Sequence, residues 1–251
     1  MSSLYGIIGY PLSHSFSPAY FKKKFADQLI DAVYEPFPLT GIDQFAPLLA
    51  AHPQLAGLNV TIPYKESVIP CLDEIDPVVS EIGAVNCISI MNGRTIGFNT
   101  DVVGFELSLI PLLQPQHTDA LVLGTGGSSK AVAYVLKQLG ISFRFVSRTT
   151  KDGCLSYNGL DAGIINAHKL IINTTPLGMY PAVDGMPPIP FDAIGQQHLL
   201  YDLIYNPDET RFLQQGMMNG AAIKNGFEML QLQAEAAWDI WARTSLNETP
   251  E

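Results

Sequence analysis

Short apolar runs alternate with segments of helical spacing along the first part of the chain. Buried strands are predicted at three places, residues 4–8, 32–37 and 57–61. Helices are predicted at residues 18–29 with Ser17 as N-cap, near residues 42–51, and from Pro63 onward. Strands that alternate with helices in this way are typical of a parallel sheet, so this part predicts a βαβαβ unit.

The pattern changes in the middle of the chain and then starts again. Residues 84–90 and 95–99 predict a strand pair that turns at Asn92 and Gly93, because this dipeptide tolerates positive φ. A helix from Asp101 then leads to a linker rich in Pro and Gln. Further strands are predicted at residues 120–123, 142–146, 170–173, 199–203 and 221–224, and a last helix at residues 228–245. The chain is therefore predicted to be an α/β protein with a second, mostly parallel sheet.

Composition narrows the class of protein. The chain has 251 residues, 47% of them hydrophobic, which is enough for two modest domains. The formal net charge of -10 argues against nucleic acid or an anionic membrane as a partner, and no apolar run is long enough to span a bilayer. Cys71, Cys87 and Cys154 are too widely spaced to suggest a disulfide framework or a zinc site. We expect a cytoplasmic protein without a bound metal.

A glycine-rich turn follows the predicted strand at residues 120–123. Gly124, Gly126 and Gly127 come directly after it, and a segment of helical spacing follows. In dinucleotide-binding folds such glycines allow a tight turn and a close approach to the pyrophosphate, which meets the start of the helix. Ser129 stands where the third small residue of the pattern is expected. On the glycines alone, a simple tight turn is the alternative interpretation.

The end of the next predicted strand bears on the choice of cofactor. An acidic residue about 20 positions after the glycines would bind the ribose hydroxyls of NAD. The chain has Ser147, Arg148 and Thr149 there, with Lys151 nearby. A guanidinium suits a 2′-phosphate, so NADP is favoured over NAD. The alternative is that Arg148 is a solvated residue at the end of a strand.

Polar side chains also cluster outside this nucleotide region, as Ser15, Ser17, Asn59, Thr61, Lys65, Asn86, Asn99 and Asp101. Several of them follow predicted strands, where open α/β sheets place their ligands. Hydroxyl and amide groups suit a ligand with several hydroxyls and a carboxylate. Four of them have a structural alternative: helix capping for Ser17, a solvated helix position for Lys65, bonding to neighbouring backbone for Asn86, and support of a loop for Asn99.

Sequence motifs along nearly the whole chain resemble those of the shikimate dehydrogenases. They are GYPLSHSFSP at 9–18, NVTIPYK at 59–65, GAVNC at 83–87, GFNTDVVGF at 97–105, GTGGSSKA at 124–131, SRT at 147–149, NTTPLGM at 173–179, YDLIYNP at 201–207 and NGFEMLQLQA at 225–234. Some positions depart from the pattern: Phe21 stands where many members of this family carry His, three Lys residues follow it, and Ser128 and Ser129 stand where small apolar residues are common.

The resemblance implies a two-domain enzyme that interconverts 3-dehydroshikimate and shikimate with NADP, on the route to aromatic amino acids. It implies an α/β substrate domain at residues 1–100, a Rossmann-like NADP domain at 101–226, and a C-terminal helix at 227–251 that packs back on the first domain. The substrate would be held by Ser15, Ser17, Thr61, Lys65, Asn86, Asp101, Tyr205 and Gln233. The cofactor would be held by Gly124, Gly126, Gly127, Ser128, Ser147, Arg148, Thr149, Lys151, Thr174, Leu203, Gly226 and Met229.

Lys65 and Asp101 would form the catalytic pair of such an enzyme. Hydride transfer to a carbonyl creates negative charge on oxygen, which an ammonium group can stabilise and protonate. A free Lys, with a pKa near ~10.4, is a ready acid, and an ionised Asp beside it would orient it. The alternatives are a quinate/shikimate dehydrogenase with broader substrate or NAD use, an NADP-binding sensor without activity, and a folate-dependent dehydrogenase of similar two-domain shape, which the hydroxyl-rich loop of Ser15 and Ser17 disfavours. The chain is expected to be a monomer or a homodimer.

Overall fold

The computed structural model describes residues 2–13, 15–149 and 153–246. The chain divides into two compact units: unit 1 consists of the residues up to Thr100 together with those from Ala234, and unit 2 is Asp101–Gln233. The functional domains predicted at residues 1–100, 101–226 and 227–251 stay a prediction.

The described residues of unit 1 form a mixed six-stranded sheet. Its strands are β1 (Ser3–Gly9), β2 (Ala32–Pro38), β3 (Leu55–Val60), β4 (Glu74–Ile75), β5 (Cys87–Met91) and β6 (Arg94–Phe98), and their order is β2-β1-β3-β5-β6-β4. Strand β1 pairs in parallel with both β2 and β3, which confirms the predicted βαβαβ unit. The β5–β6 hairpin turns at Asn92 and Gly93, whose φ angles are 52° and 77°, as predicted.

The helices of unit 1 depart from the prediction in two places. They are α1 (Ser17–Asp27), α2 (Phe45–Ala51) and α3 (Pro77–Ile82), with short 3-10 turns at Ile42–Gln44 and Ile69–Cys71. Ser17 is not an N-cap, because α1 begins at Ser17 itself and the Ser17 side chain hydrogen-bonds to Tyr34 instead. The helix predicted from Pro63 is also wrong: the chain forms turns there, and Pro70 lacks the N–H that a continuing helix would need.

Aromatic rings fill the core on one face of this sheet. The Trp241 ring stacks on Tyr5 at a centroid distance of 4.9 Å, and its Nε1 donates a hydrogen bond to the Ile88 carbonyl at 3.0 Å. A Cβ on Gly57 would overlap the same indole ring. Phe21 is fully buried and stacks on Tyr34 at 4.6 Å, so this departure from the family pattern is a core residue.

The described residues of unit 2 form a parallel six-stranded sheet. Its strands are β7 (Asp119–Leu123), β8 (Ser142–Ser147), β9 (Cys154–Ser156), β10 (Leu170–Asn173), β11 (Leu199–Asp202) and β12 (Ala222–Lys224), in the order β12-β11-β10-β7-β8-β9. Its helices are α4 (Asp101–Leu109), α5 (Gly127–Gln138), α6 (Ala162–Ala167), α7 (Arg211–Met218) and the first part of α8 (Phe227–Leu246), with 3-10 turns at Ile110–Leu112, Tyr157–Gly159 and Phe191–Ala193. This is the strand order of the doubly wound Rossmann fold, as predicted.

The strand order of unit 2 marks where a ligand is expected. The chain winds outward in one direction from β7 to β9 and in the other from β10 to β12, so the order reverses between β7 and β10. Ligands of open α/β sheets bind beyond the carboxyl ends of the strands at such a switch point. Strand β9 and helices α6 and α7 were not predicted. No helix in the part of the chain that the structure describes could cross a bilayer.

Candidate active site

The glycine turn lies at the switch point of the parallel sheet. Gly124 has a φ of +110°, which favours glycine, and a Cβ there would lie 2.7 Å from Thr174 Oγ1. At Gly126, by contrast, a Cβ would have no atom of the described residues within 4 Å. Ser129 replaces the third small residue without an unsatisfied hydroxyl, because its Oγ donates to the Gly126 carbonyl at 2.6 Å. The imperfect glycine pattern therefore still builds the tight turn.

The surface over this turn fits the pyrophosphate of a dinucleotide. Helix α5 begins at Gly127 and has no acidic residue in its first turn, so its positive dipole end is not neutralised from within the helix. Gly126 precedes it, and no side chain of its own covers the helix start. A turn without side chains at the start of a helix is the arrangement that binds phosphate groups in Rossmann folds.

The residues expected at the adenosine end follow β8. Ser147 ends the strand and is buried, and its Oγ accepts a hydrogen bond from the backbone N–H of Thr149 at 3.3 Å. Arg148 and Thr149 are exposed. A cation at this position is available to a 2′-phosphate. Lys151, the second cation expected here, lies outside the described residues.

Four other predicted cofactor residues lie in contact with one another in two pairs. Thr174 packs on Gly124, and its Oγ1 donates to the Leu123 carbonyl at 2.7 Å. A Cβ on Gly226 would overlap the backbone of Leu203, and the Gly226 N–H donates to the Ile204 carbonyl at 3.0 Å. The first pair lies at the ends of β7 and β10, and the second joins the end of β11 to the start of α8. Met229 is buried one turn further along α8.

A buried carboxylate that the sequence analysis missed lies behind these loops. Asp202, at the end of β11, accepts hydrogen bonds from Thr210 Oγ1 at 2.6 Å, Asn173 Nδ2 at 3.0 Å and the Ile204 N–H at 3.0 Å. Burial raises the pKa of Asp202 to about 7, although the three hydrogen bonds oppose this shift. An Asp that ends an otherwise apolar strand could have signalled this network, because buried carboxylates need partners.

A chain of buried polar side chains runs through unit 1. The Tyr34 hydroxyl, which also hydrogen-bonds with Ser17, donates to Asn59 Oδ1 at 2.8 Å. Asn59 Nδ2 donates to the Asn86 carbonyl at 3.3 Å, and Asn86 Oδ1 accepts from the Thr100 N–H at 2.6 Å. Burial raises the pKa of Tyr34 well above its ordinary value, so the phenol stays a neutral donor. Two predicted substrate residues, Ser17 and Asn86, are thus joined by side chains that sequence reasoning did not connect.

The remaining predicted residues of unit 1 lie at the same edge of the sheet. Thr61 is half-buried just after β3, and its N–H donates to the Ile8 carbonyl at 2.9 Å. Lys65 is half-buried, and its carbonyl accepts from the Val85 N–H at 2.7 Å, directly beside Asn86. The structure therefore brings Ser17, Thr61, Lys65 and Asn86 to the carboxyl ends of β1 and β3 and the start of β5. Asn99, by contrast, supports a loop, since its Nδ2 donates to the Ala84 carbonyl at 2.8 Å. Ser15 lies half-buried in the loop that precedes α1.

Three predicted substrate residues lie in unit 2. Asp101 opens α4 and is buried. One turn later, a Cβ on Gly104 would lie 3.0 Å from Gln233 Cβ, so α4 and α8 pack closely where Gln233 lies. Tyr205, after β11, is half-buried, and burial raises the pKa of its phenol. The predicted convergence of Lys65 and Asp101 on one substrate stays a prediction.

A doubly wound parallel sheet with a glycine turn at its switch point defines the class of dinucleotide-binding enzymes. In the same chain, unit 1 supplies a second α/β fold with an edge rich in hydroxyl, amide and ammonium groups. Known proteins identify the family within this class.

Residues 7–88 match the family described as "Shikimate dehydrogenase substrate binding domain". The chain is 38% identical to the shikimate dehydrogenase (NADP(+)) of Halothermothrix orenii, a match that covers 94% of this chain and 89% of that protein. The crystal structure of shikimate dehydrogenase from Aquifex aeolicus matches with a TM-score of 0.86 and 32% identity, over 96% of this chain and 92% of that one. The Thermus thermophilus enzyme in complex with NADP(H) and shikimate matches with a TM-score of 0.86 and 28% identity, over 96% and 94%. The chain belongs to the shikimate dehydrogenase family, and the resemblance of its motifs is confirmed.

Proposed function

We propose that this protein catalyses the NADP-dependent, reversible reduction of 3-dehydroshikimate to shikimate. The observation that carries the proposal is that the likeness to NADP-dependent shikimate dehydrogenases covers both units, 94% of the chain in the first relative named above. One chain therefore combines the glycine turn of a dinucleotide enzyme with the polar edge of unit 1. The enzyme is an oxidoreductase acting on a CH–OH donor in aromatic amino acid biosynthesis.

NADP would be held by residues of unit 2. Gly124, Gly126, Gly127 and Ser128 would face the pyrophosphate at the start of α5, where backbone N–H groups and the helix dipole favour an anion. Arg148, exposed at the end of β8, would bind the 2′-phosphate. When bound, the nicotinamide supplies the hydride for the carbonyl carbon.

The substrate would be held by hydroxyl and amide groups from both units. Ser15, Ser17 and Tyr205 would bind the carboxylate, and Thr61, Asn86 and Gln233 the ring hydroxyls. Ser17 and Asn86 are already fixed by buried hydrogen bonds, which lowers the conformational entropy lost when a ligand binds.

Lys65 would act as the general acid in reduction and the general base in oxidation. Its ammonium would donate a proton from Nζ to the oxygen on which negative charge develops. Asp101 would accept a hydrogen bond from the substrate hydroxyl and orient the Lys65 ammonium. Asp101 is buried at the start of a helix, where the positive dipole end stabilises a carboxylate.

The proposal is tested by following NADP reduction by absorbance, with shikimate and with quinate. We expect turnover with shikimate, and a loss of about 10²–10⁴-fold in kcat for Lys65→Ala and Asp101→Ala with NADPH binding retained. Lys23→Ala, which changes an exposed lysine of α1, serves as the matched control. Near-normal turnover by Lys65→Ala would contradict the assignment of the acid. NADPH binding by the unaltered protein without turnover would support a sensor instead.

We propose in addition that the protein works in the cytoplasm as a monomer or a homodimer. Its three cysteines are unpaired, which suits a reducing compartment. Light scattering of the purified protein measures the number of subunits, and cell fractionation measures the location.

A further inference from the structure

Asp202 is fully buried, yet it joins three separate segments of unit 2. Its Oδ2 accepts from the hydroxyl of Thr210, which caps the start of α7, and its Oδ1 accepts from Asn173 and from the Ile204 N–H. A carboxylate without partners would be costly at this depth, and here three donors from different parts of the chain satisfy it. Its position is therefore fixed by all three segments at once.

Asn173 connects Asp202 to the loop after β10. Its Oδ1 accepts from both the N–H and the hydroxyl of Thr175, at 3.0 and 2.6 Å, while its Nδ2 donates to Asp202. Thr174, which lies between Asn173 and Thr175 in the sequence, packs against Gly124 in the glycine turn. Asp202 thus fixes the loop that forms one side of the turn.

Ile204 connects Asp202 to the segment after β11. Its N–H is held by Asp202, and its carbonyl accepts from the Gly226 N–H. Leu203, just before it, lies against the backbone of Gly226, where no Cβ could fit. The path of the segment that carries Leu203 and Tyr205 is thus set by Asp202 on one side and by Gly226 on the other.

We propose that Asp202 is a positioning residue for the dinucleotide: it holds the loops of Thr174 and Leu203 in the arrangement that receives the cofactor beside the glycine turn. It acts through these loops, because its side chain is fully buried and does not reach a ligand. The inference rests on the cofactor use proposed above and adds to it a residue that lies behind the binding surface.

The carboxylate can be altered without removing its volume. In Asp202→Asn an amide replaces one carboxylate oxygen, so that either the Thr210 hydroxyl or the pair Asn173 and Ile204 faces a donor instead of an acceptor. Thr210→Val keeps the shape of the side chain but removes the hydroxyl that donates to Asp202 and accepts the cap bond from the Leu213 N–H. Asp184→Asn is the matched control, since Asp184 is exposed and pairs with Arg211 at the first residue of the same helix α7.

The experiment measures the Kd of NADPH by fluorescence titration and the KM of shikimate at saturating NADP. We expect the Kd to rise about five- to tenfold in Asp202→Asn and Thr210→Val, the effect of one lost buried hydrogen bond. The KM of shikimate should change less than the Kd of NADPH, because Tyr205 is a single proposed substrate residue on the segments that Asp202 holds. Asp184→Asn binds both ligands as the unaltered protein does.

Two results would overturn the inference. One is an unchanged Kd for NADPH in both variants, and the other is a parallel loss of NADPH and shikimate binding. If Asp202→Asn does not fold, Thr210→Val decides alone, since it leaves the Asp202 carboxylate and its bonds to Asn173 and Ile204 in place. Failure of the unaltered protein to bind NADPH is a different outcome, because it would reject the proposed cofactor itself.

Discussion

The two units hold their candidate ligand groups in different ways. In unit 1, Ser17 and Asn86 are members of the buried chain of hydrogen bonds that also fixes Tyr34, Asn59 and Thr100. In unit 2 the candidate groups include four glycines, and a separate polar network behind them is made by Asp202, Asn173 and Thr210. In unit 1, substitution of one side chain should therefore remove both a structural contact and a candidate ligand, whereas in unit 2 the polar residues behind the site can be changed without removing a candidate ligand.

The largest effect is expected from two glycines that have no room for a Cβ. We expect Gly226→Ala and Gly57→Ala each to lower the free energy of unfolding by about 3 kcal/mol, because an added methyl forces neighbouring atoms apart. At Gly226 the neighbour is the Leu203 backbone, and at Gly57 it is the Trp241 ring. Urea unfolding measures the loss, and NADPH titration should show weaker binding only in Gly226→Ala.

The control for this pair is Gly195→Ala, where an added Cβ would have no atom of the described residues within 4 Å. It should leave both measurements unchanged. Equal NADPH affinity in Gly226→Ala and Gly57→Ala would remove the distinction between a glycine at the cofactor loops and a glycine in a core.

The second prediction tests whether Asn86 both stabilises unit 1 and binds the substrate. Asn86→Ala leaves the Thr100 N–H and hydroxyl without the amide, so we expect the free energy of unfolding to fall by about 2 kcal/mol. The KM of shikimate should rise in the same variant, because the amide is also a proposed substrate ligand. Asn166→Ala, which removes an exposed amide, is the control. Loss of stability with an unchanged KM would show that Asn86 has only a structural role, and would contradict the comparison of the two units.

The third prediction concerns pH. Asp202 has a folded pKa of about 7 against an ordinary 3.8, so its protonated form is favoured in the folded protein. A raised pKa contributes stability that is present below the unfolded value and is lost as pH rises through the folded one. Between about pH 5 and 7 the advantage of the unaltered protein over Asp202→Asn should shrink by about 2 kcal/mol.

Urea unfolding of the unaltered protein and of Asp202→Asn from pH 5 to 7 measures the difference between their free energies of unfolding. Groups that titrate equally in both proteins do not change this difference. Burial also lowers the pKa of His198 in the same unit, and this group is present in both proteins. A difference that stays constant from pH 5 to 7 would show that Asp202 remains charged throughout.

The smallest effect is expected from the ion pair of Lys24 and Glu235, which joins α1 to α8. Burial alone would raise the pKa of Glu235, but hydrogen bonds from Lys24 and Tyr20 outweigh it and hold the pKa below its ordinary value. Lys24→Met should lower the free energy of unfolding by about 1 kcal/mol, since the carboxylate is partly exposed. Lys23→Met, which breaks an exposed pair with Asp27 on the same helix, should have no measurable effect. Equal melting temperatures for the two variants would contradict this.

Local patterns predicted much of the fold, because local chemistry determines those parts. The apolar strand at residues 170–173 and the turn at Asn92 and Gly93 were found from periodicity and turn residues alone. The helix predicted from Pro63 failed because the chain forms turns there, followed by a 3-10 turn at Ile69–Cys71 that contains Pro70, which has no N–H for a continuing helix. Ser17 was assigned as an N-cap because the local sequence does not show that its side chain contacts Tyr34 on strand β2.

The candidate site was predictable to a smaller extent. The glycine turn and Arg148 follow from a local motif, whereas Leu203, Gly226 and Gln233 came only from the resemblance to a family. The two buried networks join residues far apart in sequence, such as Asn173 with Asp202 and Tyr34 with Asn59. A local sequence pattern does not indicate which distant donor forms a hydrogen bond with a buried acceptor.

Unit 1 is formed by residues on both sides of unit 2 in the sequence, and this has a consequence for biosynthesis. Its aromatic core needs Trp241 against Tyr5, so the amino-terminal segment cannot bury that face until the final helix has left the ribosome. Unit 2 lies between these two parts in the sequence, so all its strands are synthesised before Trp241. A nascent chain therefore displays an unfinished apolar sheet during translation, and premature termination before residue 234 would release a polypeptide that chaperones and proteases recognise.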